Sequence, residues 1–183
     1  MSKIDTVCIY SASSDNISNT YLHTAYELGK HLAHRGIGIV NGAGNRGLMR
    51  ATTDGALAAH GKVTGVIPQF MVDNGWHYEA LTEIIVTHDI HQRKKAMLHM
   101  SDALLALPGG CGTMEELMEA ITWKQLGMYT KPLIIMNIDG YYTPLLEMLS
   151  KAIDQRFMKE SDGQLWLVAN SAEEAIQILD TYQ

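Results

Sequence analysis

The stretch ALLALPGGCGTMEEL, residues 103–117, contains an apolar run, a loop with three glycines and the start of a helix. Ala103–Leu107 predicts a buried strand, and a helical pattern begins at Thr113. A strand, a glycine-rich loop and a helix N-terminus form an anion site, because free backbone N–H groups converge where the helix dipole is positive. No Gly-Lys-Ser/Thr sequence follows, so we expect a monophosphate rather than a nucleoside triphosphate with magnesium.

The same alternation of short apolar runs and helical patterns extends along the chain. The predicted strands are Thr6–Tyr10, Gly38–Val40, Val63–Ile67, Glu83–Val86, Ala103–Leu107, Pro132–Asn137 and Leu165–Val168. The predicted helices are Asn19–His34, Leu48–His60, Ile90–Met100, one from Thr113, Tyr141–Arg156 and Ala172–Thr181. This order predicts an α/β fold, a doubly wound parallel sheet with helices on both faces, in one domain over residues 1–183.

Ligands of such sheets bind outside the carboxyl ends of the strands. The three loops at that edge are SASSD after the first strand, NGAGNRG after the second, and PGGCGT. Gly42–Gly47 matches the dinucleotide pattern G-x-G-x-x-G, but it follows the second strand, and the next strand ends without the acid that would hold a ribose. We therefore expect its backbone N–H groups to line one side of a pocket for a smaller ligand. Ser13 is open to two readings, a ligand contact or a turn cap.

Composition and charge restrict the class of partner. The chain has 183 residues, two cysteines and a net charge of −6, which argues against nucleic acid as the main partner. Neither a signal peptide nor an apolar run of about 18 residues is present, so we expect a cytoplasmic protein without a membrane partner. The eight histidines lack ligand spacing, and we expect no metal and no cofactor.

Two charged residues are candidates for chemistry. Thr113-Met114-Glu115-Glu116 fits a capping box, and a catalytic Glu116 fits equally well, since a sugar attached to the phosphate would lie one helical turn further on. Met114, Leu117, Met118 and Ile121 are predicted to form one apolar stripe, with Glu116 on the opposite side. Arg93 lies in the first turn of its helix, where the dipole favours acids, so it is either part of a solvated basic face or has an anionic partner.

Arg93-Lys94 together with the sequence from Pro108 to Glu116 resembles the signature of the LONELY GUY (LOG) family. These proteins are cytokinin riboside 5′-monophosphate phosphoribohydrolases, often labelled "possible lysine decarboxylase". The similarity extends through SDALLALPGG, ITWKQLG, KPL and NIDGYY. The resemblance implies a Rossmann-like fold, a homodimer, and hydrolysis of the N-glycosidic bond of AMP-type nucleoside 5′-monophosphates. A lysine decarboxylase is implausible, since the chain is short and has no recognisable pyridoxal phosphate site.

The resemblance also implies roles for individual residues. The catalytic pair falls on Arg93 and Glu116. Phosphate binding falls on Gly109, Gly110, Gly112 and Thr113. The substrate contacts expected around these motifs are Ser13, Gly42, Gly44, Lys94, Met97, Leu107 and Pro108.

Three questions stay open at this point. Ala12 and Ala43 stand where the family usually has glycine, which leaves the preferred base, adenine or N6-prenylated adenine, undecided. The stretch Gln69–Thr82, with Phe70, Trp76 and Tyr78, either covers the base or packs locally. The alternative function is a non-catalytic carrier or sensor of a nucleotide-like ligand, as in molybdenum cofactor carriers of similar fold, although a simple binder would not need both Arg93 and Glu116.

Overall fold

The computed structural model describes residues 3–182, which form seven strands, seven α-helices and two 3-10 turns. The strands are β1 (Thr6–Tyr10), β2 (Gly38–Asn41), β3 (Val63–Pro68), β4 (Glu83–Thr87), β5 (Ala103–Ala106), β6 (Leu133–Met136) and β7 (Leu167–Ala169). The α-helices are α1 (Asn19–His34), α2 (Gly47–Ala58), α3 (Gln69–Asp73), α4 (Ile90–His99), α5 (Cys111–Gln125), α6 (Thr143–Asp154) and α7 (Ala172–Asp180). The 3-10 turns are Ile138–Gly140 and Glu160–Gln164.

All seven strands belong to one parallel sheet in the order β4-β3-β2-β1-β5-β6-β7. Alternate residues of each central strand point to opposite faces, so that both faces are apolar. Val7 and Ile9 of β1 pack in the cluster with α1, α2 and α7. Cys8 and Tyr10 pack in the cluster with α4, α5 and α6. The predicted doubly wound parallel fold is therefore confirmed.

The sheet order reverses at β1, which pairs with β2 on one side and with β5 on the other. Ligands of open α/β sheets bind in the crevice at this reversal, outside the carboxyl ends of the strands. The loops after β1, β2 and β5 meet there. Backbone bonds join them directly, since Ala12 N–H donates to the Pro108 carbonyl at 3.1 Å and Met49 N–H donates to the Ala12 carbonyl at 3.2 Å.

Most predicted elements agree with the structure to within two residues at each end. Three differences stand out, and the first two affect the site. Helix α5 begins at Cys111 rather than at Thr113. The stretch after β3 contains the unpredicted helix α3. Strand β7 spans Leu167–Ala169 instead of Leu165–Val168, because residues 160–164 form a 3-10 turn. None of the helices within residues 3–182 is both long enough and apolar enough to span a membrane.

Candidate active site

The loop between β5 and α5 presents a row of free backbone donors. Gly110 is the N-cap of α5. Because glycine has no side chain, it makes no capping hydrogen bond to the first turn of the helix. The N–H groups of residues 110–113 donate to no atom within residues 3–182. Thr113 packs against Gly109 so closely that a Cβ at Gly109 would overlap the threonine side chain. The geometry is that of an anion site at a helix N-terminus, where the dipole adds positive potential.

The capping-box alternative for Glu116 is excluded, because the helix starts two residues earlier than expected. Thr113 is the third residue of α5 rather than its cap, and it is buried. Glu116 therefore does not cap the helix, and its side chain lies on the buried side of α5. The predicted apolar stripe is wrong in part for the same helix. Met114 and Met118 are 36% and 37% exposed, while Leu117 and Ile121 are buried.

Glu116 forms a buried ion pair with Arg93. Arg93 lies in the first turn of α4, whose N-cap Asp89 accepts a hydrogen bond from the Gln92 N–H at 2.8 Å. The Arg93 Nη1 donates to Glu116 Oε1 at 2.7 Å, and the Nε donates to the Val66 carbonyl at 3.1 Å. The second guanidinium nitrogen lies against Gly42, where a Cβ would collide with it. Three elements therefore hold one guanidinium in a fixed position.

The Arg93–Glu116 pair is largely shielded from water, with each residue 7% exposed. Burial raises the pKa of Glu116, and the neighbouring Arg93 guanidinium opposes this shift without cancelling it. The carboxylate is thus costly to ionise, yet it is oriented by a charged donor. Such an arrangement suits a group that must stabilise positive charge in a transition state.

Two adjoining cavities meet at this pair, and Ser13, Met49 and Arg93 line both of them. The first, the anion cavity, measures about 360 Å³ and is lined further by Ser11, Ser14, residues 110–113 and Glu116. The second, which we call the apolar cavity after its larger share of apolar surface, measures about 340 Å³ and is lined further by Gly42, Gly44, Ile67, Met71 and Trp76, with Asn45 and Arg46 as polar residues. Together they form one cleft with an anion-binding end and an apolar end, and the ion pair lies where the two ends join.

Comparison with known proteins gives the family. Residues 49–179 match the family model described as possible lysine decarboxylase. The chain is 38% identical over 182 residues to a cytokinin riboside 5′-monophosphate phosphoribohydrolase of Arabidopsis thaliana, covering all of this chain and 80% of that protein. It is 39% identical to a probable enzyme of the same name from Oryza sativa subsp. japonica, over 99% of this chain and 74% of the relative. The chain belongs to the LOG family.

Solved structures show the same fold outside the plant enzymes. The molybdenum cofactor binding protein from Rippkaea orientalis is 26% identical, with a TM-score of 0.73 over 100% of this chain and 98% of that one. The molybdenum cofactor carrier protein of Chlamydomonas reinhardtii has a TM-score of 0.74 at 23% identity over 96% of each chain, which shows a shared fold alone. A Rossmann-like LOG fold is thus consistent with several biochemical roles.

The structure brings most of the residues assigned by the LOG resemblance to the cleft. These are Ser13, Gly42, Gly44, Arg93, Gly110, Gly112, Thr113 and Glu116. Pro108 and Gly109 instead line a separate cavity of about 160 Å³, together with Gly110 and Tyr141. Residues 108–112, the loop predicted to bind phosphate and called the phosphate loop below, thus face two different cavities.

Three predicted substrate contacts lie elsewhere. The side chains of Met97 on α4 and of Leu107, directly after β5, are buried in the two hydrophobic clusters and have no exposed surface. The Lys94 ammonium lies between α4 and α5, at 2.5 Å from Glu115 Oε1 and 3.0 Å from Glu119 Oε2. We conclude that these three side chains support the walls of the site instead of lining it.

The loop after β2 agrees with its prediction in part. Three of its N–H groups are used inside the protein: Ala43 donates to Asn41 Oδ1 at 2.9 Å, Asn45 to the Trp76 carbonyl at 3.1 Å, and Gly47 to Asp15 Oδ1 at 2.9 Å. Gly42 and Gly44 line the cleft, and their N–H groups donate to no atom within residues 3–182.

Some residues of the stretch Gln69–Thr82 line the cleft, and others pack locally. Trp76 and Met71 line the apolar cavity. Tyr78 packs locally, since its hydroxyl donates to Asp54 Oδ1 at 2.6 Å and Arg50 lies over its ring. Met49 lines both cavities but is not among the residues predicted from the sequence, although it lies only two residues after the NGAGNRG loop.

Proposed function

We propose that this protein hydrolyses the N-glycosidic bond of adenosine-type nucleoside 5′-monophosphates, releasing free base and ribose 5-phosphate. The observation that carries the proposal is the buried Arg93–Glu116 pair at the junction of the anion and apolar cavities. A nucleotide whose phosphate occupies the anion cavity and whose base occupies the apolar cavity has its ribose at this junction.

The chemistry follows from that placement. The bond between ribose C1′ and the base nitrogen breaks, the water oxygen adds to C1′, and a proton of that water goes to the departing base. Positive charge builds on the sugar before the water adds, as in glycoside hydrolysis. The Glu116 carboxylate stabilises that charge and orients the ribose hydroxyls or the water. Arg93 holds the carboxylate in place.

The apolar end of the cleft supports an adenine-type base. Met49, Met71 and Trp76 offer thioether and indole surfaces, and methionine adapts its shape to different groups. We therefore include both AMP and N6-prenylated AMP as substrates. The name shared by the Arabidopsis and rice relatives supports a cytokinin riboside monophosphate.

The test is direct. The pure protein is incubated with AMP or isopentenyladenosine 5′-monophosphate, and the released base is measured by chromatography. Adenosine serves as the control substrate, because without a phosphate it loses the anion-cavity contacts and should react far more slowly. Release of no base from either nucleotide at micromolar enzyme would refute the proposal.

The second candidate is a carrier for a nucleotide-like ligand, which the likeness to the Rippkaea molybdenum cofactor binding protein supports. A carrier would retain one intact ligand per chain through gel filtration. An enzyme releases two products and retains neither. Mass spectrometry of the eluted protein after incubation with AMP separates the two functions.

We also propose a cytoplasmic homodimer without membrane or nucleic-acid partners, in a single domain and without a metal or cofactor. Support for the dimer comes from the LOG resemblance and from apolar side chains exposed on the outer side of α5 and just after it, namely Met114, Met118, Leu126 and Met128. Exposed apolar surface of this kind marks protein contacts.

A further inference from the structure

We propose that Tyr141 and Tyr142 are positioning residues that hold the phosphate loop in its anion-binding conformation by binding its carbonyl groups. The two tyrosines end the NIDGYY sequence, residues 137–142, between β6 and α6. The inference deepens the proposed function, because it concerns the loop that would hold the substrate phosphate.

Three consecutive carbonyls at the start of the loop are bound from outside it. The Tyr142 hydroxyl donates to the carbonyl of residue 107 at 2.8 Å. The Ala12 N–H donates to the carbonyl of residue 108 at 3.1 Å. The Tyr141 hydroxyl donates to the carbonyl of residue 109 at 2.6 Å. Each carbonyl oxygen of residues 107–109 therefore accepts a hydrogen bond from a residue outside the loop.

These hydrogen bonds fix the orientation of the peptide units that follow, including the unit that carries the Gly110 N–H. A trans peptide unit is planar, with its carbonyl oxygen and its N–H pointing in opposite directions, and residues 3–182 contain no cis peptide bond. The hydroxyl of Tyr141 on the Gly109 carbonyl thus turns the Gly110 N–H away from Tyr141. Neither glycine has a side chain that could hold this orientation, and glycine samples the widest range of backbone angles. The Tyr141 hydroxyl therefore fixes the peptide orientation from outside the loop, in addition to the packing of Thr113 against Gly109.

The tyrosines are themselves held firmly. Asn137 Oδ1 accepts a hydrogen bond from the Tyr142 N–H at 2.7 Å. Asp139 and Gly140 have left-handed φ angles of 51° and 70°, which close the turn before the two rings. The Tyr142 ring is buried, and the Tyr141 ring meets it edge-on at 5.0 Å between centroids. The turn from Asn137 to Tyr142 thus directs the hydroxyl groups of both tyrosines toward the phosphate loop.

Substitution of Tyr141 by Phe isolates the effect, because Tyr141 is 39% exposed and only its hydroxyl is lost. For Tyr141→Phe we expect about five- to tenfold weaker binding of ribose 5-phosphate by calorimetry, the scale of one hydrogen bond. The KM for AMP should rise by a similar factor with little change in kcat, because a phosphate contact is present in both ground and transition states. A merely structural role would lower the melting temperature without this division between KM and kcat.

Tyr142→Phe is expected to weaken ribose 5-phosphate binding in the same direction. The matched control is Tyr26→Phe on α1, which removes a hydroxyl that makes no hydrogen bond to residues 107–113 within the described chain. It should leave both binding and KM unchanged.

Unchanged ribose 5-phosphate affinity in Tyr141→Phe overturns the inference, as does a wild-type protein that binds no ribose 5-phosphate. Failure of the proposed function gives a different result. If the wild type releases no base but binds ribose 5-phosphate, and Tyr141→Phe binds it more weakly, the positioning role stands without the hydrolase.

Discussion

At the residue scale, the decisive feature is a carboxylate that could have been an ordinary helix cap. Glu116 and Glu115 are adjacent acids in one helix, but only Glu116 is buried against the Arg93 guanidinium. Glu115 contacts Lys94, and its side chain is 58% exposed. The pair therefore provides an internal comparison of two similar residues in different surroundings.

Glu116→Gln is predicted to lower kcat for base release at least ~10²-fold, the cost of losing one transition-state contact. The amide keeps the shape of the side chain but cannot supply negative charge to the ribosyl cation. Glu115→Gln makes the same change one residue away and should retain kcat to within about threefold, because Lys94 keeps Glu119 as its partner and an exposed carboxylate contributes little. Near-normal turnover in Glu116→Gln would remove Glu116 from the chemistry.

The pH profile of the reaction gives a second prediction for Glu116. Burial raises the pKa of this carboxyl, with Arg93 opposing the shift. Below that pKa the group is protonated and neutral, so activity falls as the pH falls through it. We expect the acid limb of kcat/KM to lie above about 4.3, the value of an exposed glutamate. The Glu116→Gln variant, assayed at high enzyme concentration, should lack this limb. A limb at or below the exposed value contradicts an essential buried carboxylate.

Gly42 provides a third prediction, because a Cβ there would occupy the space of the Arg93 guanidinium. Gly42→Ala should displace Arg93 and lower kcat/KM by about 10- to 100-fold, as misplacement of a catalytic group by about 1 Å does. Gly163→Ala is the control, since its added methyl group would meet its nearest neighbour, Ile153, at an ordinary 3.6 Å. Equal kinetics in the two variants would show that Arg93 adapts without loss.

At the element scale, the site depends on how α4 and α5 are joined. Lys94 was expected to contact substrate, but its buried ammonium bridges Glu115 and Glu119. Burial lowers the pKa of Lys94, and the two carboxylates outweigh this effect and raise it overall. The lysine therefore stays charged and links the helix of Arg93 to the helix of Glu116.

Lys94→Met is accordingly predicted to destabilise the fold. Its loss leaves two partly exposed carboxylates unpaired, and we expect the free energy of unfolding to fall by about 1–3 kcal/mol in urea, less than for a fully buried pair. Lys95→Met on the exposed side of α4 should change it by under about 0.5 kcal/mol. Ribose 5-phosphate binding should persist in Lys94→Met. If stability is unchanged and binding is lost, Lys94 is a substrate ligand after all.

The elements themselves were largely predictable, and their exact starts were not. The inner strands β1, β2, β3, β5 and β6 are buried on both faces, so they are nearly continuous apolar runs that can be recognised without knowledge of the tertiary structure. The start of α5 was set wrongly at Thr113, because a capping box is a local signal, whereas the role of Glu116 depends on Arg93, 23 residues away in sequence. The buried face of α5 also differs in part from the prediction: Leu117 is buried as expected, whereas Met114 is exposed and Glu116 is buried.

At the scale of the whole molecule, the sheet topology explains why the position of the site could be predicted from the sequence, whereas several residues that line it could not. Parallel strands bring every strand-to-helix loop to one edge, so the three small-residue loops were expected to meet. The apolar cavity depends on the stretch after β3 folding back over the β2 loop, where Gly44 and His77 form an isolated bridge. No local pattern predicts that return, and the contributions of Met71 and Trp76 follow from it.

The predicted homodimer is the last property at this scale. Met114 and Met118 are one turn apart on the outer side of α5, directly after the anion site, and a monomer would leave them partly in water. We expect the wild type to sediment as a dimer at micromolar concentration and Met118→Lys to sediment as a monomer, because a buried unpaired ammonium opposes association. Met148→Lys, at a 62% exposed position on α6, tests whether any added lysine has this effect. It should leave the dimer intact. If Met118→Lys dimerises as the wild type does, the interface lies on another face of the molecule, and a monomeric wild type would refute the dimer itself.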